Sequence, residues 1–320
     1  MNQQHNAVLN FKLRPLSLAI RVLMTSGLAI ANTYAKDPVL PEALNSSALA
    51  TSGAAAYTQS GHLGTIKQTT DKAILEWKSF NIGSGDKVVF DQPNATSVAL
   101  NNIHQSDPSQ IMGSLKANGQ IYLVNQNGFV FGKDSQVNIN SFVASTLGIS
   151  RDVFERGLTK VFNIDNSAAL QGNGEVYLKN DQGDFLLDQT GQKIKIQIML
   201  ESGADIKTDK GGRVIIAAPV IENQGSITTP DGQTILAAAK DKVYLQEAGS
   251  DSNLRGLLVE VETGGAVTNV GKVLAEQGNA SLIGFAVNQK GKVSATTSVN
   301  LNGTVRLMSR GGIQNPTSTG

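Results

Sequence analysis

Lys116–Ser150 reads KANGQIYLVNQNGFVFGKDSQVNINSFVASTLGIS, and its pattern decides the fold. Two short apolar runs, Ile121–Val124 and Phe129–Phe131, flank Asn125-Gln126-Asn127-Gly128. Asn-Gly marks a tight turn because both residues tolerate positive φ. Gly132-Lys133-Asp134 supplies a second turn, and Val137-Asn138-Ile139-Asn140 alternates as a strand does. No helical period is sustained. The stretch reads as strand, turn, strand, turn, strand, in rungs too short to form a core alone.

Working outward, Gly64–Ile66, Lys72–Phe80, Val88–Phe90 and Val98–Ile103 read as further strands, with a Gly-rich turn at Asn81–Asp86. The single Trp, Trp77, is read as core or cap rather than as a ligand platform, since buried aromatics commonly serve packing. Lys36–Gly61 is small and polar and predicts a capping strand. Ser150 is set to N-cap one helical turn over Arg151–Gly157, with Asp152 and Glu155 in its first turn. Gly183–Lys195 predicts a hairpin excursion around Gln189-Thr190-Gly191.

From Glu201 a repeat emerges. Gly203-Ala204-Asp205-Ile206, Gly225-Ser226-Ile227-Thr228, Gly271-Lys272-Val273-Leu274 and Gly291-Lys292-Val293-Ser294 each open a unit. Each leads to a second apolar run: Val214–Ala218, Thr234–Ala238, Ala280–Gly284 and Leu301–Leu307. The openings are 22, 46 and 20 residues apart, and 46 is read as two units. A period near 20 with Gly and Asn turns marks a solenoid. Strands read as apolar on one face suit a parallel β-helix, with Val, Ile, Leu and Ala in a narrow core and Asn side chains laddered at the turns.

Composition agrees. Of 320 residues 40% are apolar, 5% aromatic and 17% charged, with 33 Gly and no Cys. Scarce aromatics and abundant Gly and β-branched residues favour many short strands. Absence of Cys excludes thiolate zinc sites and Cys nucleophiles. Net charge is +1; setting aside Lys12, Arg14 and Arg21 leaves 24 basic against 26 acidic residues. No basic stripe is present, which argues against nucleic acid as a partner.

Four motifs in order carry a family resemblance: Trp77-Lys78-Ser79-Phe80-Asn81-Ile82-Gly83, Pro108-Ser109-Gln110-Ile111, Asn125-Gln126-Asn127-Gly128, and Phe142-Val143-Ala144-Ser145-Thr146. Together they resemble the secretion domain of filamentous haemagglutinin-type exoproteins, exported by two-partner secretion in Gram-negative bacteria. The likeness spans Ala43 to Ile149. One departure stands out: the family usually has Asn-Pro-Asn-Gly, and here Gln126 takes the Pro position, giving up a pre-set φ while Asn127-Gly128 keeps the permissive backbone.

The resemblance implies an all-β, right-handed parallel β-helix with an N-terminal cap and extra-helical strands or hairpins. It implies an adhesin or haemagglutinin N-terminus, virulence-associated, recognised in the periplasm by an outer-membrane transporter and nucleating β-helix folding. Asn125, Gln126, Asn127 and Gly128 would then serve recognition, folding or both, and a bare turn is weighed evenly against recognition. The delivery half of a contact-dependent toxin, sharing this domain, is an alternative. Sec export to the periplasm and a final place outside the cell or on its surface follow, and a host-cell or carbohydrate receptor is a further partner the family allows.

Residues 1–35 read as an export signal: a basic flank, the apolar stretch Val22–Ala31, and Thr33-Tyr34-Ala35 with small residues at −3 and −1, placing cleavage after Ala35. The apolar run is too short to span a bilayer. The chain thus divides into a signal (1–35), a secretion-domain core (36–150), continuing rungs with excursions (151–309) and a polar tail (310–320) that looks like the lead into a longer protein.

A polysaccharide-cleaving β-helix enzyme would need two convergent carboxylates. Glu222, Asp231, Asp241, Glu260 and Glu262 are the candidates, but Glu260 and Glu262 alternate with Val259 and Val261 as a solvated strand face does. His5, His62 and His104 are isolated, with no second His at i+4 for a zinc pair. Ser84-Gly85-Asp86-Lys87 matches Ser-x-x-Lys without its partners. No enzyme, cofactor or metal is expected. Asn45, Asn94, Asn279 and Asn302 fit the short glycosylation pattern.

Overall fold

The computed structural model describes residues 37–247, 256–295 and 304–309, the last as backbone. The signal reading, Ala35 and the tail 310–320 lie outside the described residues.

The chain coils through three parallel faces. The central stretch supplies one full rung, with Gln120–Asn125 on the first face, Phe129–Phe131 on the second and Gln136–Ile139 on the third, before Ser141–Ser145 returns to the first. Among the described residues the first face holds ten strands, the second six and the third nine. Register is kept from rung to rung: Ile121 sits between Ala99 and Phe142, Phe129 between Ser109 and Ile198, and Val137 between Leu115 and Ile206. This is the parallel β-helix.

Period-2 alternation explains why these short runs form strands here. Ile121, Leu123, Phe129, Phe131, Val137 and Ile139 all point inward and are buried. Phe129 stacks on Phe131 at 6.1 Å, and Phe131 meets Phe142 edge-on at 6.0 Å. Burying such a ring is worth about 1.5–3 kcal/mol over leaving it in water. A lone rung offers its core only one layer, so each rung needs its neighbours.

The open N-terminal edge is covered by antiparallel strands. Glu42–Ala43 and Ala50–Ser52 pair with Lys72–Ser79, and Ala55–Ser60 pairs with Leu63–Gln68. The expected cap is there, built from three strands rather than one. Trp77 fills the space beneath it, fully buried, with Tyr57 and Phe80 edge-on at 5.2 and 5.3 Å. Its indole Nε1 donates to Asn101 Oδ1 at 2.9 Å, so no polar atom of the ring is stranded.

The expectation of strands apolar on one face fails for the first face, which is buried on both sides. Outward-pointing Ile74, Leu100, Val143, Ile215 and Ile235 belong to a second apolar core. Helices α1 (Arg151–Arg156) and α2 (Val161–Asp165) and a small antiparallel sheet of Leu170–Gln171, Lys242–Glu247 and Leu257–Val261 share that core. Continuous runs such as Val214–Ala218 and Thr234–Ala238 carry this signature of double-sided burial. Helix α1 starts as expected, Ser150 Oγ accepting from Val153 N at 3.2 Å.

The 46-residue interval is also reinterpreted. Ser226–Thr228 pairs directly with Lys272–Leu274, and Gln233–Ala238 directly with Asn279–Gly284. The interval is therefore one rung plus an excursion, and the excursion is the hairpin Lys242–Glu247 with Leu257–Val261 that covers the first face. The hairpin read at Gly183–Lys195 gains a third segment. Leu178 N donates to Ile194 O, Ile194 N to Leu186 O and Leu186 N to Leu178 O, each at 2.9 Å, closing a triangle of three short segments.

The repeated glycines stack at corners. A Cβ on Gly232 would lie 1.8 Å from Gly212 O, and one on Gly278 2.1 Å from Gly232 O. Rungs approach so closely there that no side chain fits. Gly232→Ala is expected to lower stability by about 1–3 kcal/mol, the usual range for forcing atoms into a packed site. A denaturant midpoint equal to that of the parent chain would contradict this. Asn ladders occur as anticipated: Asn223 Nδ2 donates to Asn269 Oδ1 at 2.7 Å, and Asn269 Nδ2 to Gln289 Oε1 at 2.9 Å.

Candidate functional site

Asn125–Gly128 forms the corner between the first and second faces. Asn125 is fully buried. Its Oδ1 accepts from Asn127 N at 2.9 Å, while Nδ2 donates to Asp107 O at 3.1 Å and Ser109 Oγ at 3.0 Å on the rung before. Asn127 Nδ2 donates to Gln105 O at 2.8 Å. Gln105 Oε1 in turn accepts from Phe80 N at 2.8 Å, extending the network one rung further. Gly128 closes the turn with φ +106°, and a Cβ there would sit 2.2 Å from Gln197 O on the following rung. Asn125, Asn127 and Gly128 are thus committed to the stack. Gln126 alone leaves it, exposed.

Gln126 looks into an open cleft between this corner and the triangular excursion, lined also by Thr146, Asn173, Tyr177, Lys179 and Lys240. Glu175, at the same cleft, pairs with Lys179 at 2.6 Å. Tyr177 belongs to a packed cluster, its ring edge-on to Phe185 at 5.9 Å, with Lys193 Nζ 3.7 Å from the Phe185 centroid.

The excursion carries its own electrostatic clamp. Asp188 accepts from Thr190 Oγ1 at 2.7 Å, Thr190 N at 2.8 Å and Gln192 N at 2.9 Å. The Thr190 hydroxyl bond, then the Gln192 and Thr190 amides, hold this carboxyl below its ordinary range. A depressed folded pKa contributes stability that is present above the unfolded value, about 3.9, and lost as pH falls through the lower folded one. The Asp188 side-chain NMR titration is expected to have its midpoint below that of a model Asp; a midpoint at or above it would contradict the clamp.

Neither described histidine is isolated. His62 Nδ1 lies 2.5 Å from Asp86 Oδ1, and Asp86 Oδ2 accepts from Val39 N at 2.6 Å, so a nearly buried carboxylate ties the first residues of the described chain to the first rung. His104 Nε2 lies 2.7 Å from Glu76 Oε2, and Glu76 Oε1 accepts from Asn102 Nδ2 at 3.0 Å. His5 lies outside the described residues. Ser84–Lys87 is the turn that presents Asp86, with Gly85 at φ +88°. Among the described residues no group of His, Asp and Glu gathers to hold a metal.

A family model for the TPS secretion domain, TPS standing for two-partner secretion, matches residues 42–315. The chain belongs to the TPS secretion domain family. Two proteins named Heme/hemopexin-binding protein from Haemophilus influenzae are similar to it. One is 29% identical over 266 residues, 83% of this chain and 25% of that protein; the other is 44% identical over 87 residues, 27% of this chain and 9% of that protein. The chain thus spans a quarter or less of the length of these relatives. The HMW1 secretion domain from Haemophilus influenzae has a similar structure, with TM-score 0.62 and 26% identity, covering 81% of this chain and 61% of that one.

Within this TPS secretion domain, of the carboxylates weighed for polysaccharide cleavage, Glu222 lies on Val220–Asn223 and Asp231 in the turn before Gln233–Ala238. Asp241, Glu260 and Glu262 share the hairpin of Lys242–Glu247 with Leu257–Val261. Glu222 accepts from Gln224 Nε2 at 2.6 Å, and Asp241 accepts from Thr263 Oγ1 at 2.6 Å. Glu262 pairs with Lys242 at 2.8 Å, and Asp231 lies 3.7 Å from Lys210. Val259 and Val261 face the second core while Glu260 and Glu262 are exposed, as the alternation predicts. Of the glycosylation-pattern residues, Asn45 and Asn94 are exposed, Asn279 is buried, and Asn302 lies outside the described residues.

Proposed function

We propose that this TPS secretion domain leads a larger exoprotein out of the cell by engaging a dedicated outer-membrane transporter from the periplasmic side, after Sec export and cleavage following Ala35. The family match over 42–315 carries the reading. Its physical basis is the rung. Each strand edge is a row of unpaired backbone until the next rung docks, so an incompletely folded chain offers edges that a partner sheet can extend. Once outside, each rung templates the next, and folding becomes directional. The role of this chain is scaffolding and recognition, not catalysis.

Asn125, Asn127 and Gly128 act mainly in folding under this proposal, since their polar groups are consumed by neighbouring rungs. Exported cargo of adhesin type is the first reading for the parent chain. The name of the Haemophilus relatives supports a second, a protein that binds haem or hemopexin.

Purified periplasmic domains of its outer-membrane transporter should capture the chain when it is diluted from denaturant, and lose it once it has refolded. Failure to bind in either state would sink transporter recognition.

A further inference from the structure

We propose that the folded domain pairs with a second copy of itself through the outer edge of the cap strand Ala55–Ser60. This strand bonds to Leu63–Gln68 on one side only, so the cap that covers the first rung ends in an edge of its own. Two hydrogen bonds fix which way its backbone points. Thr69 N donates to Ala54 O at 2.9 Å, which makes Ala54 opposite Thr69 a bonded pair; by alternation Ala56 with Lys67 and Thr58 with Thr65 are bonded pairs too. Lys87 N donates to His62 O at 2.9 Å, so on the neighbouring strand Gly64 and Ile66 face the following rung while Leu63, Thr65 and Lys67 face the cap. The two readings agree. Ala55, Tyr57 and Gln59 therefore turn their amides and carbonyls away from the sheet, and these groups have no protein partner among the described residues.

The chemistry of the edge selects the partner. Proteins guard exposed edges with charge, proline or bulges. Ala55-Ala56-Tyr57-Thr58-Gln59-Ser60 carries none of these: its register against Leu63–Gln68 is unbroken, and Ala56, Thr58, Gln59 and Ser60 are exposed. The Leu257–Val261 edge, by contrast, carries Glu260. Trp77 lies edge-on to Tyr57 at 5.2 Å, so the middle of the strand is held in place before anything docks. An antiparallel copy centred on Tyr57 sets Ala55 against Gln59 of the second copy, and Tyr57 against its own counterpart. Every outward amide and carbonyl is then met, each facing pair exchanging two bonds. Ala56 comes to lie opposite Thr58 of the second copy, small against small, and neither strand carries a charge to meet its like. A two-fold contact of this kind closes on itself and gives a dimer, not a fibre. The interface belongs to the folded cap, so it stands apart from transporter capture of the unfolded chain.

Sedimentation equilibrium of the full secreted chain is the test, and a concentration-dependent shift to twice the chain mass is expected. Gln59→Pro removes an outward amide at an edge position where proline leaves the ladder intact, and Thr58→Lys adds a charge close to its symmetry mate. Each should weaken the dimer at least about tenfold with an unchanged thermal midpoint. Register is tested separately, since the chain has no cysteine of its own. Ala56→Cys and Thr58→Cys chains, mixed and oxidised, should form a disulfide-linked heterodimer, because a non-hydrogen-bonded antiparallel pair lies within disulfide reach. Either variant alone should cross-link far less. A dimer untouched by both edge substitutions, or a mixture that cross-links no better than its components, would overturn the proposal. A monomer at every concentration would overturn it too, and poor secretion of the same variants would then give the edge to the transporter.

Discussion

Trp77→Ala is expected to destabilise the domain by about 3–5 kcal/mol, the range for deleting a large ring from a packed core. The ring is fully buried between the antiparallel cap and the first rung, and Tyr57 and Phe80 both lean on it. Deletion also leaves Asn101 Oδ1 without its donor deep in the core. Trp77→Phe keeps a ring beneath the cap but strands Asn101 Oδ1 and gives up part of the indole volume, so it should cost about 1–3 kcal/mol, less than Trp77→Ala. Urea unfolding followed by far-ultraviolet circular dichroism reads both. A loss under about 1 kcal/mol for Trp77→Ala would mean that the cap does not depend on this residue.

Gly128→Ala should cost about 3 kcal/mol or more, from two independent sources. A non-Gly residue at φ +106° is strained by roughly 1–3 kcal/mol, and the new Cβ meets the Gln197 carbonyl, adding a packing penalty of similar size. Gln126→Ala, in the next position but one, should leave stability within about 0.5 kcal/mol, as exposed substitutions away from special features do. The contrast assigns the corner to folding. Comparable losses for both variants would show that Gln126 is structural too.

The coil was legible because turns and strands announce themselves locally. Asn127-Gly128 between two apolar runs, and Gly225, Gly271 and Gly291 opening similar units, lead to the rungs that form. Apart from the Asn ladders, what escaped was the side-chain pairing set by rung stacking. His62 and Asp86 are 24 residues apart, and His104 and Glu76 are 28 apart, so each His–carboxylate contact spans one rung and no search at i+4 finds it. A search one rung away would have found both. The cover over the first face was hidden for a related reason. Thr234–Ala238 shows that a strand is apolar on both sides, but only the fold reveals that Leu245 and Val259 come back to cover it. Counting the 46 residues after Gly225 as two rungs failed because an excursion adds length without adding a rung.

The site was legible in part. The corner was visible as a turn, and the buried amides that lock it to Gln105 and Asp107 need the preceding rung to be seen. Asp86 was passed over because its neighbours in sequence form an unrelated motif, while its partners are His62 and Val39.

The most direct test of the central claim is secretion of this chain in a Gram-negative host, with and without its co-expressed outer-membrane transporter. A signal-cleaved product in the medium only when the transporter is present is the result the two-partner reading predicts. Retention in the periplasm despite a functional transporter, or release without one, would contradict it.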